Sequence, residues 1–271
     1  MAIRQATRPR VRSPQAADWA LAHGVAALTT AQVAELLGVP PLQVPQRLAA
    51  AKRRGEWASP ARGLWAPVAP EFRAWGGAPA IEFVDALAKH LGVGYYVGWL
   101  AAAELHGAAH HAPQVTQVAV SRLVRDRRVG RARLSFHTRP NLHRLASQQA
   151  MARSGRYTVS TPETTAFDIA ADIDLAGGLD NAATVISDLA TETGLDQTKL
   201  VELARFYPVA AARRVGWIVE NFTECGPLDA LVALAKTVSD HPARLHPALS
   251  LAGPLDRRWN LRLNKDVEVE E

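Results

Sequence analysis

Gln43, Gln46 and Arg47 stand close together in the chain, and the consecutive cations Lys52, Arg53 and Arg54 follow them. Gln can make paired hydrogen bonds to an adenine edge and Arg to a guanine edge. A run of cations suits backbone phosphates better than bases. Arg62, in the turn Ser59-Pro-Ala-Arg-Gly63, adds one more donor nearby. Other groups point elsewhere. Asp168, Asp172 and Asp174 could form a nuclease-type carboxylate cluster, but the first two share a helix face that is expected to be solvated. Glu104, His106, His110 and His111 lie close in sequence; a metal needs its ligands to converge, and Pro113 with the break after Gly107 predicts a polar loop instead. Cys225 is the single cysteine; it has no base beside it and is expected to be a small buried residue. There is no phosphate-loop pattern, no Gly-x-Gly-x-x-Gly after a strand and no Gly-x-Ser-x-Gly elbow. No catalytic residue, metal or cofactor is therefore expected.

The elements that must carry the first group are legible. Ser13-Pro14 starts a helix, with Ser as cap and Pro preorganised behind it. Ala16, Trp19, Ala20 and His23 give its stripe, and Gly24 ends it. Thr29 with Gln32 makes a capping box for a short second helix carrying Val33, Leu36 and Leu37, closed by Gly38. A third helix runs from about Pro41 to Arg54. Its wheel puts Val44, Leu48 and Ala51 inside and Gln43, Gln46, Arg47, Ala50 and Arg54 outside. Pro45 disfavours helix at Val44, which moves the expected start to near Leu42 or Val44 and shifts the outer face by a few residues. Trp57–Val68 reads as a small hairpin with Arg62 at its tip. Short helix, glycine turn, third helix and hairpin make a winged helix-turn-helix over roughly residues 12 to 68. Such a fold binds DNA, or serves as a protein-docking module.

Charge favours DNA. Residues 1–75 hold ten Lys/Arg against four Asp/Glu, a net of +6, and the rest of the chain holds 21 against 22, a net of −1. Excess positive charge in one segment is what a polyanion partner requires. Arg4, Arg8, Arg10 and Arg12 form a basic arm that could reach a minor groove. The arm lacks the apolar stretch of a secretory signal. No apolar run approaches the ~20 residues that span a bilayer, and a lone thiol fits a reducing cytoplasm.

Pro70–Pro79, with Gly76-Gly77, is the expected linker, dividing residues 1–75 from residues 76–271. Beyond it, Ile81–Leu91 and Tyr95–Gly107 read as helices, and Gln114–Ser121 and Arg131–Thr138 as a hairpin-like strand pair joined by a basic segment. A capped helix opens at Thr161-Pro162-Glu163, with Phe167, Ala170 and Ile173 inside. Helices follow over about 179–193, 196–206, 208–222 and 227–239, and the alternating tail from Trp259 reads as a strand. The second part is thus a larger α+β domain, and the whole chain is α+β.

Several of these segments resemble the AbiEi-type antitoxins of type IV toxin–antitoxin systems: Arg62-Gly-Leu-Trp65, Tyr95–Gly107, Ser160-Thr-Pro-Glu-Thr-Thr-Ala-Phe-Asp-Ile169, Arg213-Arg-Val-Gly-Trp-Ile-Val-Glu220 and Arg258-Trp-Asn-Leu-Arg-Leu-Asn-Lys-Asp-Val-Glu-Val-Glu270. The resemblance implies a two-domain antitoxin. Its winged helix would bind double-stranded repeats in its own promoter and repress the operon, with Gln43, Gln46, Arg47, Lys52, Arg54 and Arg62 as DNA contacts. Its C-terminal domain would counteract a nucleotidyltransferase-like toxin, by contact or through a shared target. Two rivals remain: a nuclease or modification enzyme targeted by the winged helix, and a transcription factor that responds to a ligand.

Overall fold

The computed structural model describes residues 10–109 and 113–270. Arg4 and Arg8 of the basic arm, and His110 and His111, lie outside the described residues. Ser13 does not cap a helix: Ser13–Gln15 forms a 3-10 turn behind Arg12, with no side-chain cap, and α1 (Ala16–Ala22) follows. β1 (Leu28–Thr29) leads into α2 (Thr30–Leu37). The capping box ahead of α2 is present: Gln32 N–H donates to Thr29 Oγ1 at 3.3 Å, and Thr29 N–H donates to Gln32 Oε1 at 2.8 Å. Pro41–Gln43 is a 3-10 turn, and α3 (Val44–Arg53) begins at Val44. Pro45 therefore sits in the first helical turn, where its missing N–H would have had no intrahelical partner. β2 (Trp57–Ala61) and β3 (Leu64–Pro67) form a hairpin, and β1 pairs with β3 on its other side, giving the order β1-β3-β2. Ala20, Leu28, Val33, Leu36, Val44, Leu48, Trp57 and Trp65 close the core between these helices and this sheet.

The Pro70–Pro79 stretch is not free chain. Pro70–Trp75 is a 3-10 helix, and after another such turn α4 (Val84–Leu91) begins. The run Tyr95–Gly107, read as one helix, breaks into β4 (Tyr95–Val97) and α5 (Trp99–Leu105). Gly98 between them is extended, and Trp99 has φ of 48°. β5 (Thr116–Val120) and β7 (Ala132–Thr138) are the expected strands, but they pair in parallel. The basic segment between them supplies β6 (Arg127–Val129), which reverses direction and pairs antiparallel with β7. Two strands went unread, β8 (Ser147–Ala152) and β9 (Gly155–Ser160). β8 is largely exposed, and its sequence Ser-Gln-Gln-Ala-Met-Ala has neither β-branched residues nor alternation. The six strands form one sheet, β6-β7-β5-β4-β9-β8.

The helices of the second half are α6 (Pro162–Ala171), α7 (Leu179–Thr193), α8 (Gln197–Ala204), α9 (Val209–Phe222) and α10 (Asp229–Val238). α6 is capped by Thr161 and buried on all sides from Glu163 to Ala170. α5, α7, α8 and α9 pack around it. The tail is not one strand: β10 (Ala243–Arg244), β11 (Leu255–Asp256) and β12 (Leu261–Arg262) are dipeptide strands in a small sheet. Between the N-terminal core and this helical core lies a third cluster. In it Ala58, Ala61, Leu64, Ala66 and Val68 pack with Phe83, Val84, Leu87, Val118 and Val120. The hairpin β2–β3 thus packs on two cores, one on each face. Among the described residues no helix is long and apolar enough to cross a membrane.

Candidate nucleic-acid interface

The start of α3 at Val44 fixes which of its residues face outward. Val44, Leu48 and Ala51 are buried, as the wheel predicts, and Gln43, Gln46, Arg47 and Ala50 are exposed. With ~3.6 residues per turn these four lie along one side of the helix and of the turn preceding it. Leu42, beside them, is 95% exposed.

Lys52, Arg53 and Arg54 are exposed at the far end of the same helix. They differ in what holds them. Arg54 donates from Nε and Nη2 to both carboxylate oxygens of Glu56, at 2.7 and 2.9 Å, so its fork is occupied. This bidentate bond holds Glu56 below the usual carboxylate range. The Lys52 ammonium lies 5.9 Å from the Trp65 ring centroid. Neither Lys52 nor Arg53 has a carboxylate partner among the described residues.

Arg62 is set apart from these cations. Its side chain is exposed at the turn of the β2–β3 hairpin, about 13 Å of strand from the end nearest α3. Its carbonyl accepts from His90 Nε2 of α4 at 3.0 Å, and the neighbouring Gly63 carbonyl accepts from Thr30 N–H at the start of α2 at 2.9 Å. The structure therefore divides the expected set into an exposed row on α3, a cationic helix end and a separate hairpin tip.

The sequence reading missed two arginines at the cationic end. An open cleft of about 410 Å³ is lined by Lys52, Arg53 and Arg54 on one side and by Arg73 and Arg128 on the other. Arg73 is ion-paired with Asp18 at 3.3 Å, and Arg128 has no carboxylate partner among the described residues. A signal was there. The segment from Arg122 to Arg133 holds six Arg and one Asp. The net charge of −1 over the second part averaged it away.

The other chemically suggestive residues have structural partners. Asp168 is not on a solvated face. It is fully buried and accepts from Tyr96 Oη at 2.9 Å, Tyr207 Oη at 2.9 Å and Arg139 at 3.0 Å. Asp172 also pairs with Arg139 and accepts from Trp99 Nε1 at 3.2 Å. Burial pushes the Asp168 carboxyl up to about 6, against the pull of Arg139. His106 Nε2 donates to the Ser160 carbonyl at 2.8 Å, and burial lowers its pKa. Cys225 is exposed, not buried. Among the described residues no group of His, Cys, Asp and Glu could hold a metal ion.

The resemblance motifs of the second half lock together. Arg213 donates to the carbonyls of Ala235, Ser239, His241 and Asn260. Arg214 donates to those of Ala170, Arg244 and Leu245. Glu220 accepts from Arg258 and from Trp259 Nε1. They hold α9 to α6, to the end of α10 and to the tail.

A mixed α+β chain with this architecture has a known counterpart in the crystal structure of the RV2827C protein from Mycobacterium tuberculosis. The two are 18% identical and superpose with a TM-score of 0.67, over 96% of this chain and 94% of that one. At that identity the likeness shows the fold alone. Residues 96–221, from β4 to the end of α9, match the family model for the AbiEi antitoxin C-terminal domain. That match spans just under half of the chain and supports an AbiEi-type antitoxin, a class that implies a toxin partner. A search of curated proteins finds no match.

Proposed function

We propose that the protein is a DNA-binding cytoplasmic antitoxin of two parts. Residues 1–75 form a winged helix-turn-helix that binds repeats in its own promoter and represses the operon. Residues 76–271 counteract a nucleotidyltransferase-like toxin, and the chain has no catalytic activity of its own. The observation that carries the DNA reading is the exposed row Gln43, Gln46 and Arg47 on α3, backed by a buried Val44, Leu48 and Ala51 and ending in a cationic tip. The order of a capped α2, a glycine turn, α3 and a hairpin supports the same reading. The family match over residues 96–221 supports the antitoxin part. Total burial of Asp168 against three donors argues against a nuclease centre there.

Fluorescence anisotropy with a duplex from the region upstream of its own gene, and a shuffled duplex of equal length, tests the first part. Gln46→Ala or Arg47→Ala should cost about 1–3 kcal/mol on the upstream duplex and less on the shuffled one. Equal losses on both would place base reading elsewhere.

A further inference from the structure

We propose that the DNA-binding surface continues onto the second part of the chain, where Arg128 in β6 completes a phosphate-binding cleft with the end of α3. This rests on the DNA reading above and adds a contact that no N-terminal residue supplies. The cleft brings Lys52, Arg53, Arg54, Arg73 and Arg128 around one opening. Glu56 occupies Arg54 and Asp18 occupies Arg73. Lys52, Arg53 and Arg128 remain without a carboxylate among the described residues, a surplus that a polyanion backbone neutralises. The C-terminal end of α3 carries a partial negative charge of about half a unit, which Lys52 and Arg53 outweigh, and Arg128 from β6 adds to the positive charge that remains.

The hairpin holds Arg128 in a fixed place. Gly130, with φ of +60°, is seated so closely that a Cβ there would lie 2.2 Å from the Trp75 carbonyl oxygen. A Cβ on Gly77 would lie 2.8 Å from the Val129 carbonyl oxygen. Arg131 N–H donates to the Trp75 carbonyl at 2.8 Å, and Arg127 Nη1 donates to the Pro60 carbonyl at 3.2 Å. Gly76-Gly77 is thus the close-packed seat of the β6–β7 turn, and Arg128 Nε is oriented by the Gly130 carbonyl at 3.1 Å. The reading row and the cleft are separated by about 10 Å of helix from Gln46 to Arg53. A duplex read at the one would present flanking phosphates to the other.

The test uses the full chain and anisotropy titrations at several salt concentrations, with the upstream duplex, a shuffled duplex and an RNA duplex of the upstream sequence. Arg128→Ala should weaken both DNA duplexes alike, about three- to tenfold, and reduce the slope of log K against log salt by about one. Arg128→Lys should restore the slope, and Arg205→Ala, an exposed cation on the helical side, should leave it unchanged. Circular dichroism and the thermal midpoint establish that each variant is folded. Wild-type slope in Arg128→Ala, with wild-type protein binding DNA normally, overturns the cleft and leaves the DNA reading intact. Failure of the wild-type protein to bind either DNA duplex overturns both. Tighter binding of the RNA duplex than of its DNA counterpart overturns the assignment to DNA.

Discussion

Asp168 carries an ionisable group where water does not reach, and its environment makes a pH prediction. Three donors favour the carboxylate, and complete burial opposes it more strongly, so the carboxyl titrates at about 6, above its ordinary value of 3.8. The folded state therefore binds a proton between those values that the unfolded state does not. The stability this group contributes is fully present below the ordinary value and is lost as pH rises through about 6. A shift of that size is worth about 3 kcal/mol. Urea unfolding at pH 4.5 and 7 should show this component in the wild type and lose it in Asp168→Asn; an unchanged difference between the two pH values in the variant would refute the account. Periodicity could not have shown the buried role. A stripe of Phe167, Ala170 and Ile173 implies an opposite, wet face, but α6 is enclosed on all sides. The partners Tyr96 and Tyr207 are 72 and 39 residues away in sequence.

At the scale of elements, α9 and the tail fit together at one glycine. A Cβ on Gly216 would lie 1.9 Å from Cη2 of Trp259, with Cζ2 and Cζ3 at 2.2 and 2.4 Å. These atoms belong to the outer ring of the indole, in a core where little can shift. Gly216→Ala should therefore destabilise the chain by about 1–3 kcal/mol despite the higher helix propensity of Ala. Trp259→Phe lacks that outer ring and should also destabilise, but the double variant should cost less than the two single losses combined. Additive losses in urea unfolding would show that the two residues do not press on each other. The sequence made such local features legible where one element carried its own signal, as at the Thr29 capping box and the starts of α6 and α7. It failed where two elements share a run. Tyr95–Gly107 has helical composition throughout, yet Tyr95–Val97 is drawn into the sheet by Val118, Ala119 and Val120 on one side and by Val159 on the other. The tail alternates, yet a positive φ of 49° at Asn260 and the pairing of Lys265 with Asp180 bend it away from a continuous strand.

At the scale of the whole molecule, the proposed division into two jobs follows the charge split on either side of residue 75, but packing determines how that division can be tested. The buried residues of the N-terminal core lie within residues 16–65, with Val11 packed against them. The hairpin that closes it also presents Ala58, Ala61, Leu64, Ala66 and Val68 to the core beneath α4 and β5. A fragment starting at residue 76 would leave Phe83, Val84 and Leu87 facing water, so it should melt several degrees below the full chain and associate. Loss of toxin protection by that fragment would not separate an unfolded antitoxin from a missing DNA contact. Surface substitution in the intact chain avoids this. Gln46 and Arg47 are exposed on α3, so a double change to Ala should leave the thermal midpoint within about 1–2 °C of wild type, since exposed positions of this kind change stability little. Expressed from an unrelated promoter at equal level, this variant should rescue growth of cells making the cognate toxin as well as wild type does, while a reporter under its own promoter is derepressed. Rescue that disappears together with repression, in a folded and equally abundant variant, would mean that antitoxicity acts through DNA, and the division of labour between the two parts would be wrong.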